Sequence, residues 1–356
     1  MFDFSSMICY HHIMSNLVYV ALSGGVDSAA AAILLKERGY DVRGVTLRLK
    51  PDNLADDDIR DAQLVADALS IPLEVLDERD AFREITDYFC RAYTEGLTPN
   101  PCVLCNPKVK IGLLVKHAEK NGALFVATGH YSHIVSENGK FLIRKNPTGK
   151  DQSYFLCGLN QHLLSKLQFP LSDLSKNEIR ALVESYNIPI AHKRDSQEVC
   201  FIPDNDYISF IEKHYHPEAI PGDFISKDGE KLGTHSGIYR YTIGQRKGLG
   251  AFGKPMYVLS INKDNNTVTI GDNCDLFTDK IKIKDINFLT GEAPSVPLQC
   301  MVKIRCAAPP AEATLTLTGN EGEITFINPQ RAAAPGQTAA VYIGDTLIGG
   351  GTICNP

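Results

Sequence analysis

Three short strings hold the residue types that do chemistry. In Ser23-Gly-Gly-Val-Asp-Ser28, two glycines let the backbone approach a ligand closely, and successive N–H groups at a helix start point at an anion. Ser23 and Ser28 add hydroxyl donors, and the Asp27 carboxylate suits a magnesium ion lying on phosphates. The string lacks the GK[ST] of a Walker loop and the GxGxxG of a dinucleotide site. It therefore reads as a different phosphate-binding loop or as a plain strand-to-helix turn. Thr98-Pro-Asn-Pro-Cys-Val-Leu-Cys-Asn106 and Asp195-Ser-Gln-Glu-Val-Cys200 supply thiols. Cys102-x-x-Cys105 with a third thiol, Cys200, on another loop is spacing suited to zinc or an iron–sulfur cluster. The plainer alternative is that Cys102 fills a small buried site.

The surrounding pattern says what must position these strings. Leu17–Leu22 is a buried strand, the glycine turn follows, and a helix runs through Arg38. Strands at 42–47, 73–76 and 124–127 alternate with helices at about 55–69, 81–93 and 109–120. That rhythm implies a parallel α/β sheet wrapped on both faces. Ser175-Lys-Asn-Glu178 is a capping box that opens a helix ending near Tyr186. Beyond about Asp204 the segments become short and alternating, at 257–261, 267–270, 281–286, 302–305, 313–317, 324–327 and 339–343. Turn residues separate them, so the second half reads as all-β, a small β-domain followed by a barrel.

Composition narrows the class. The chain has 356 residues, 44% hydrophobic and 22% charged, with ten cysteines and no tryptophan. At roughly 150 residues per domain it holds two or three domains, and the charge content excludes a disordered chain. No apolar run nears the ~18 residues of a membrane span. The start MFDFSSMICYHHIMSN has neither the basic end nor the long apolar centre of a signal peptide, so a reduced, cytoplasmic protein is expected. Residues 1–13 read as an unstructured leader, with Met14 as an alternative start. A formal charge of −6 provides no general basic field, but Arg240, Arg246 and Lys247 group locally with Tyr239 and Tyr241. Lys280, Lys282 and Lys284 share one strand face. A nucleic-acid contact and protection of a sheet edge are equal readings of that lysine row.

Taken together, the strings resemble a known family. The first loop is similar to that of ATP pyrophosphatases. The two cysteine strings resemble the tRNA-specific 2-thiouridylases, which replace the 2-oxygen of the wobble uridine with sulfur. Ala127-Thr-Gly-His-Tyr131, Lys150-Asp-Gln-Ser-Tyr-Phe155, Tyr241-Thr-Ile-Gly-Gln-Arg-Lys-Gly-Leu-Gly250, Pro329-Gln-Arg331, Pro335-Gly-Gln337 and Gly349-Gly-Gly351 extend the likeness over nearly the whole chain. The resemblance implies a PP-loop domain at 1–205, a β-rich central domain at 206–283 and a barrel at 284–356. It implies ATP contacts from Ala21, Leu22, Ser23, Gly24, Gly25, Val26, Asp27, Ser28, Leu47 and Gly129, with Mg2+ on the phosphates. Cys105 would be the nucleophile and Cys200 the persulfide carrier. Asn100, Pro101, His130, Lys150, Asp151, Gln152, Arg305 and Gln337 would meet the anticodon loop.

Where this family commonly has Asp, the chain has Cys102, and where it usually has Tyr, the chain has Cys306. The first change gives Cys102, Cys105 and Cys200 the three-thiol pattern of iron–sulfur-dependent tRNA thiolases. Two sulfur chemistries therefore stay open. In one, a Cys200 persulfide is loaded by a partner protein. In the other, a [4Fe–4S] cluster holds hydrosulfide drawn from a relay protein or inorganic sulfide. Two other functional classes stand beside them: an ATP pyrophosphatase adenylating a small molecule, and a non-catalytic RNA-binding or metal-carrying module.

Overall fold

The computed structural model describes residues 16–50, 52–148, 150–193 and 199–355. The expected leader, Met14, Cys9, His11, His12 and the Asp195–Glu198 part of the third string lie outside them. Leu17-Val-Tyr-Val-Ala21 forms β1 (Leu17–Ala21), whose central residues are wholly buried, as an unbroken apolar run requires. The chain then passes through α1 (Val26–Glu37), β2 (Asp41–Arg48), α2 (Asp52–Leu69), β3 (Leu73–Asp77) and α3 (Arg79–Thr94). Next come α4 (Pro101–Cys105), a π-helical turn at Asn106–Lys110, α5 (Gly112–Lys120) and β4 (Val126–Ala127). A hairpin of β5 (Ser132–Glu137) and β6 (Lys140–Lys145) precedes α6 (Gln161–Ser165), β7 (Leu167–Gln168), α7 (Lys176–Ser185) and α8 (Tyr207–Tyr215).

The first sheet has the order β3-β2-β1-β4-β7, and every pairing in it is parallel. The expected α/β architecture is therefore present. β2 and β4 flank β1 on opposite sides, so the strand order reverses at β1, and a crevice opens at the carboxyl ends of β1 and β4. Ala29–Ala32 of α1 are fully buried, and these small side chains let the helix lie close on the sheet. α7 closes over it through Ile179 and Val183. Its capping box is formed as expected, Ser175 accepting from the Glu178 N–H and Glu178 from the Ser175 N–H.

The second half is β-rich, as expected. β8 (Gly222–Ile225), β9 (Lys231–His235), β10 (Tyr257–Asn262) and β11 (Thr267–Gly271) form one sheet. β12 (Phe277–Phe288), β13 (Leu298–Lys303), β14 (Ala311–Thr318), β15 (Glu321–Arg331), β16 (Thr338–Ile343) and β17 (Thr346–Ile353) close into a barrel through the β12–β17 pairing. That closure removes the edge-protection reading of Lys280, Lys282 and Lys284. β12 is paired on both sides, by β15 and β17, so it is not an edge, although the three lysines do share its exposed face.

Other departures have physical causes. The segment expected at 302–305 is shifted to Leu298–Lys303, and Arg305 lies beyond the strand. The β5–β6 hairpin belongs by sequence to the first domain, yet it extends the barrel sheet, Thr346 pairing with Arg144 and Leu347 with Ile143. α8 interrupts the expected all-β half. Its start is capped by Asp206, which accepts from the Ser209 N–H, and its Phe210 and Ile211 pack with Phe82, Phe89 and Phe201.

The barrel is fastened to the first domain. Tyr154 Oη donates to Thr338 O at 2.8 Å, Asn287 Nδ2 to Cys157 O and Leu159 O at 2.8 Å, and Thr98 N to Pro335 O at 2.8 Å. At this last junction Gly336 has φ +89°, and a Cβ there would lie 3.0 Å from Leu97 Cβ and 3.1 Å from the Thr98 backbone. Gly336→Ala should destabilise the chain by roughly 1–3 kcal/mol through left-handed strain, read as a lower melting temperature, with faster proteolysis at the 97–101 loop. An unchanged melting temperature would mean that the junction is not tightly held.

Candidate active site

The phosphate loop is built by α1 meeting β1. Gly24 has φ +68°, and a Cβ there would fall 2.7 Å from Asp58 O and Asp61 Cβ, so only glycine lets α2 close behind the loop. Gly25 is the N-cap and supplies no side-chain cap, which leaves the first N–H groups of α1 directed at the crevice. Ser28 is buried; its Oγ donates to Gly25 O at 2.9 Å and accepts from Ser23 N at 3.2 Å. Its hydroxyl therefore shapes the loop, a role different from the free donor expected. Gly129, after β4, comes so close that a Cβ would meet the Asp27 backbone at 2.8 Å. Ala21, Leu22 and Val26 anchor the two ends, and Leu47 lies near the carboxyl end of β2.

The Asp27 carboxylate is heavily engaged. Oδ1 accepts from Tyr131 Oη at 2.6 Å and from Lys176 Nζ at 2.6 Å, and Oδ2 lies 3.5 Å from Lys150 Nζ. The Lys150 ammonium also stands over the Tyr131 ring, 4.4 Å from its centroid. A turn of bare N–H groups, a carboxylate and two lysines is a donor set that fits a metal-bound triphosphate.

The thiols come together. Cys102, Cys105 and Cys200 line one narrow crevice with Pro101, Asn106 and Lys110, closed on one side by Phe82 and Phe201. Cys105 is buried, Cys102 is half-buried and Cys200 is exposed. Burial pushes the Cys105 thiol up to about 12, against the pull of Lys110. It raises Cys102 as well, with Cys200 and Cys306 adding to the rise. The Lys110 ammonium is held above its ordinary value, first by Cys200, which it hydrogen-bonds, and then by Cys105 and Cys102. Among the described residues no set of three or more His, Cys, Asp or Glu side chains is arranged to hold a metal ion. The three cysteines thus share a crevice without forming such a set.

His130 stands between the two halves. Its ring is pushed down to about 4, mainly by burial, further by the Lys110 charge, and against the pull of Asp27. Nδ1 is 2.7 Å from Thr128 Oγ1, and the ring packs on Phe169. A neutral imidazole therefore lies within electrostatic reach of both the phosphate loop and the thiol crevice.

The remaining expected residues form the walls. Asn100 stands just before α4 without a side-chain capping bond and hydrogen-bonds Tyr154. Asp151 accepts from Ser153 N at 3.1 Å and Ser153 Oγ at 2.8 Å, and Gln152 Oε1 accepts from Tyr131 N at 3.0 Å. Arg305 Nη2 donates to Ile243 O and Ala332 O at 2.9 Å, and Gln337 Nε2 reaches Pro99 O at 3.4 Å. These polar groups have protein partners here, which fix the walls of the cleft. Sequence reading passed over Lys110 and Lys176. The first follows the cysteine string and the second sits inside the capping box, so each was adjacent to a recognised signal.

Three family models cover the chain. They are described as the tRNA methyl transferase HUP domain over 16–204, the tRNA methyl transferase PRC-barrel domain over 208–272, and the aminomethyltransferase beta-barrel domain over 278–353. The chain is 42% identical over 355 residues to the tRNA-specific 2-thiouridylase MnmA of Clostridioides difficile (strain 630), covering 96% of this chain and 98% of that one. It is also 42% identical to the protein of that name from Syntrophotalea carbinolica, covering 94% of this chain and 98% of the relative. Among solved structures, the U34-tRNA thiolase NcsA from Methanococcus maripaludis with its [4Fe-4S] cluster is 17% identical, covering 55% of this chain and 63% of that one at a TM-score of 0.34. The NMN synthetase from Francisella tularensis is 19% identical, covering 56% of this chain and 74% of that one at a TM-score of 0.33.

Burial of neutral His130 makes stability depend on pH. Its folded value, about 4, lies below the ordinary 6.5, so the unfolded chain takes up the proton first as pH falls. This contribution is fully present above 6.5 and is lost as pH drops toward 4. His130→Asn should flatten the fall in melting temperature over that window; an identical acid profile would show that the ring is not held neutral.

Proposed function

The chain belongs to the tRNA-specific 2-thiouridylase family, and from that premise we propose that it transfers sulfur to C2 of the wobble uridine of tRNA, using ATP and a Cys200 persulfide. A carbonyl oxygen is a poor leaving group, so the C2 oxygen is first joined to the α-phosphate of ATP and pyrophosphate departs. Asp27 would hold the magnesium ion that accompanies the phosphates, and that ion would supply positive charge against the charge on the leaving pyrophosphate. The terminal sulfur of Cys200–S–S⁻ then attacks C2, and AMP leaves with the oxygen. Cys105 attacks the Cys200 sulfur, which leaves the transferred sulfur on the base and joins the two residues in a disulfide. An external thiol reductant must return that disulfide to two thiols, and a sulfur donor must reload Cys200, before the next cycle.

The carrying observation is that Cys105 and Cys200, distant in sequence, line one crevice with the Lys110 ammonium. A positive charge beside sulfur favours its anionic form, the form that attacks. The absence of a three-residue metal set among the described residues leads us to the persulfide over a cluster-bound hydrosulfide. The small-molecule reading would account for the phosphate loop but leaves the paired thiols and the fastened barrel without use. Contacts from Asn100, Pro101, His130 and Lys150 to the anticodon loop are part of this proposal, because these residues border the cleft between loop and thiols.

With ATP, magnesium, a sulfur donor and unmodified tRNA, the protein should form 2-thiouridine detectable by mass spectrometry. Protein purified without oxygen should be colourless and iron-free while active; activity that follows iron content would overturn the persulfide route. Cys200→Ser should abolish 2-thiouridine yet still release pyrophosphate on adding tRNA, whereas Asp27→Ala should lose pyrophosphate release by two or more orders of magnitude and keep tRNA affinity within a few-fold. Thiolation surviving in Cys200→Ser would remove that residue from the reaction.

A further inference from the structure

The barrel brings a further thiol to the cleft. Cys306 lies exposed on the loop after β13. That loop is pinned by the preceding Arg305, whose Nη2 donates to Ile243 O and Ala332 O at 2.9 Å. The Lys303 ammonium, at the end of β13, stands 5.9 Å from the centroid of the Tyr154 ring. Asn100, on the segment that leads into Cys102, hydrogen-bonds the same tyrosine. Tyr154 therefore faces both cysteine-bearing segments, and its hydroxyl is tied to the barrel at Thr338 O, 2.8 Å away. Cys306 is within electrostatic reach of Cys102 and of Tyr154. Cys102 and Cys105 stand at i and i+3 on α4, so their side chains are neighbours on one face. Sulfur thus runs in steps from buried Cys105 through half-buried Cys102 to exposed Cys306.

We propose that Cys102 and Cys306 form a thiol relay that carries the disulfide left by sulfur transfer off Cys105 and Cys200 and onto the barrel, where an external dithiol reduces it. This inference rests on the persulfide route, which ends with Cys105 and Cys200 joined. Bonded to each other, those two sulfurs carry no charge, and Cys102 is the remaining thiol of the crevice whose ionisation Lys110 favours. The Cys102 thiolate attacks the Cys105 sulfur; a Cys102–Cys105 bond forms, the Cys105–Cys200 bond breaks, and Cys200 leaves as a thiolate beside Lys110. The Cys306 thiolate then attacks Cys102, a Cys102–Cys306 bond forms, and Cys105 leaves. The protons given up by Cys102 and Cys306 are taken by Cys200 and Cys105. Each exchange makes one S–S bond and breaks one, so no oxidant is needed. The dithiol finally supplies two electrons and two protons and itself becomes a disulfide. A reductant working at Cys200 would also strip sulfur from its persulfide, because both are S–S bonds open to thiolate attack. Moving the bond to Cys306 keeps reduction and reloading apart.

The test uses the full chain with ATP, magnesium, unmodified tRNA and inorganic polysulfide as the sulfur donor, without reductant. Free thiols are then blocked, and disulfides are mapped by mass spectrometry of unreduced peptides. The wild type should gain one Cys102–Cys306 bond for each 2-thiouridine formed, and none when tRNA is omitted. Cys306→Ser should lose that bond and hold Cys102–Cys105 or Cys105–Cys200 in its place. After the donor is removed and dithiothreitol added, thiols should return roughly tenfold more slowly in Cys306→Ser, whose disulfide is no longer on the exposed loop. If serine disturbs folding, Cys306→Tyr, which restores the residue usual in the family, should give the same pattern. A wild-type Cys105–Cys200 bond with no Cys102–Cys306 bond overturns the relay alone. So does a Cys102–Cys306 bond that forms equally without tRNA, or equal rates of thiol return in wild type and variant. 2-Thiouridine formed with no disulfide at all overturns the persulfide route and the relay with it.

Discussion

An ammonium drawn out of water needs acceptors beside it, and Lys110 finds cysteine sulfurs: it hydrogen-bonds Cys200 and lies within electrostatic reach of Cys105 and Cys102. Much of the thiol site follows from that constraint. Pro107 has no N–H to give to Val103 O and cannot continue an ordinary helix, so the chain widens into the π turn at Asn106–Lys110, with Ile111 N donating to Asn106 O at 2.8 Å. In a helix with i→i+5 bonding, residue i+5 comes back almost above residue i. Lys110 is thereby carried to the side of Cys105 and not around the helix away from it. Phe201, packed on Phe82 and Phe89, fixes the segment that carries Cys200 against the same crevice.

The two reagents need different surroundings, and the fold separates them by one imidazole. The phosphate loop sits where the strand order reverses, the place where open α/β sheets leave a crevice. The thiols sit on short helical turns beside it. His130 responds to Asp27 on one side and Lys110 on the other, and burial keeps it uncharged. A charged ring there would compete with both lysines for their anions. The barrel completes the enclosure from the far side through Tyr154, Gln337 and Thr98, whose hydrogen bonds run directly to the loops carrying the cysteines and Asn100.

The parts legible in sequence were those whose meaning is local. The glycine loop after a buried strand, the Ser175 capping box and the alternating barrel strands each announce themselves within a dozen residues. What stayed hidden depends on partners far along the chain. The β5–β6 hairpin alternates like any hairpin, and only the start of β17 at Thr346–Leu347, which β12 leaves unpaired, decides which sheet it joins. Arg305 reads as a free cation until the carbonyls of Ile243 and Ala332 are found at its tip. Lys110 and Lys176 look like ordinary surface charges until the fold brings Cys200 to the one and Asp27 to the other. Ser28 reads as a ligand donor because its type is right, but a buried hydroxyl satisfies the nearest backbone first.

On the proposed persulfide route, the difference in burial between the two cysteines would set the order in which they act. Cys200 lies exposed on a turn. Cys105 lies buried with its thiol pushed up to about 12, so at neutral pH it is protonated and inert toward a passing persulfide. The Lys110 charge opposes this rise, and it acts on Cys200 and Cys102 as well. While Cys200 carries an anionic sulfur, that sulfur claims the ammonium. A sulfur bonded to the base would no longer be an anion, and the Lys110 ammonium would then favour ionisation of the thiols left in the crevice, Cys105 among them.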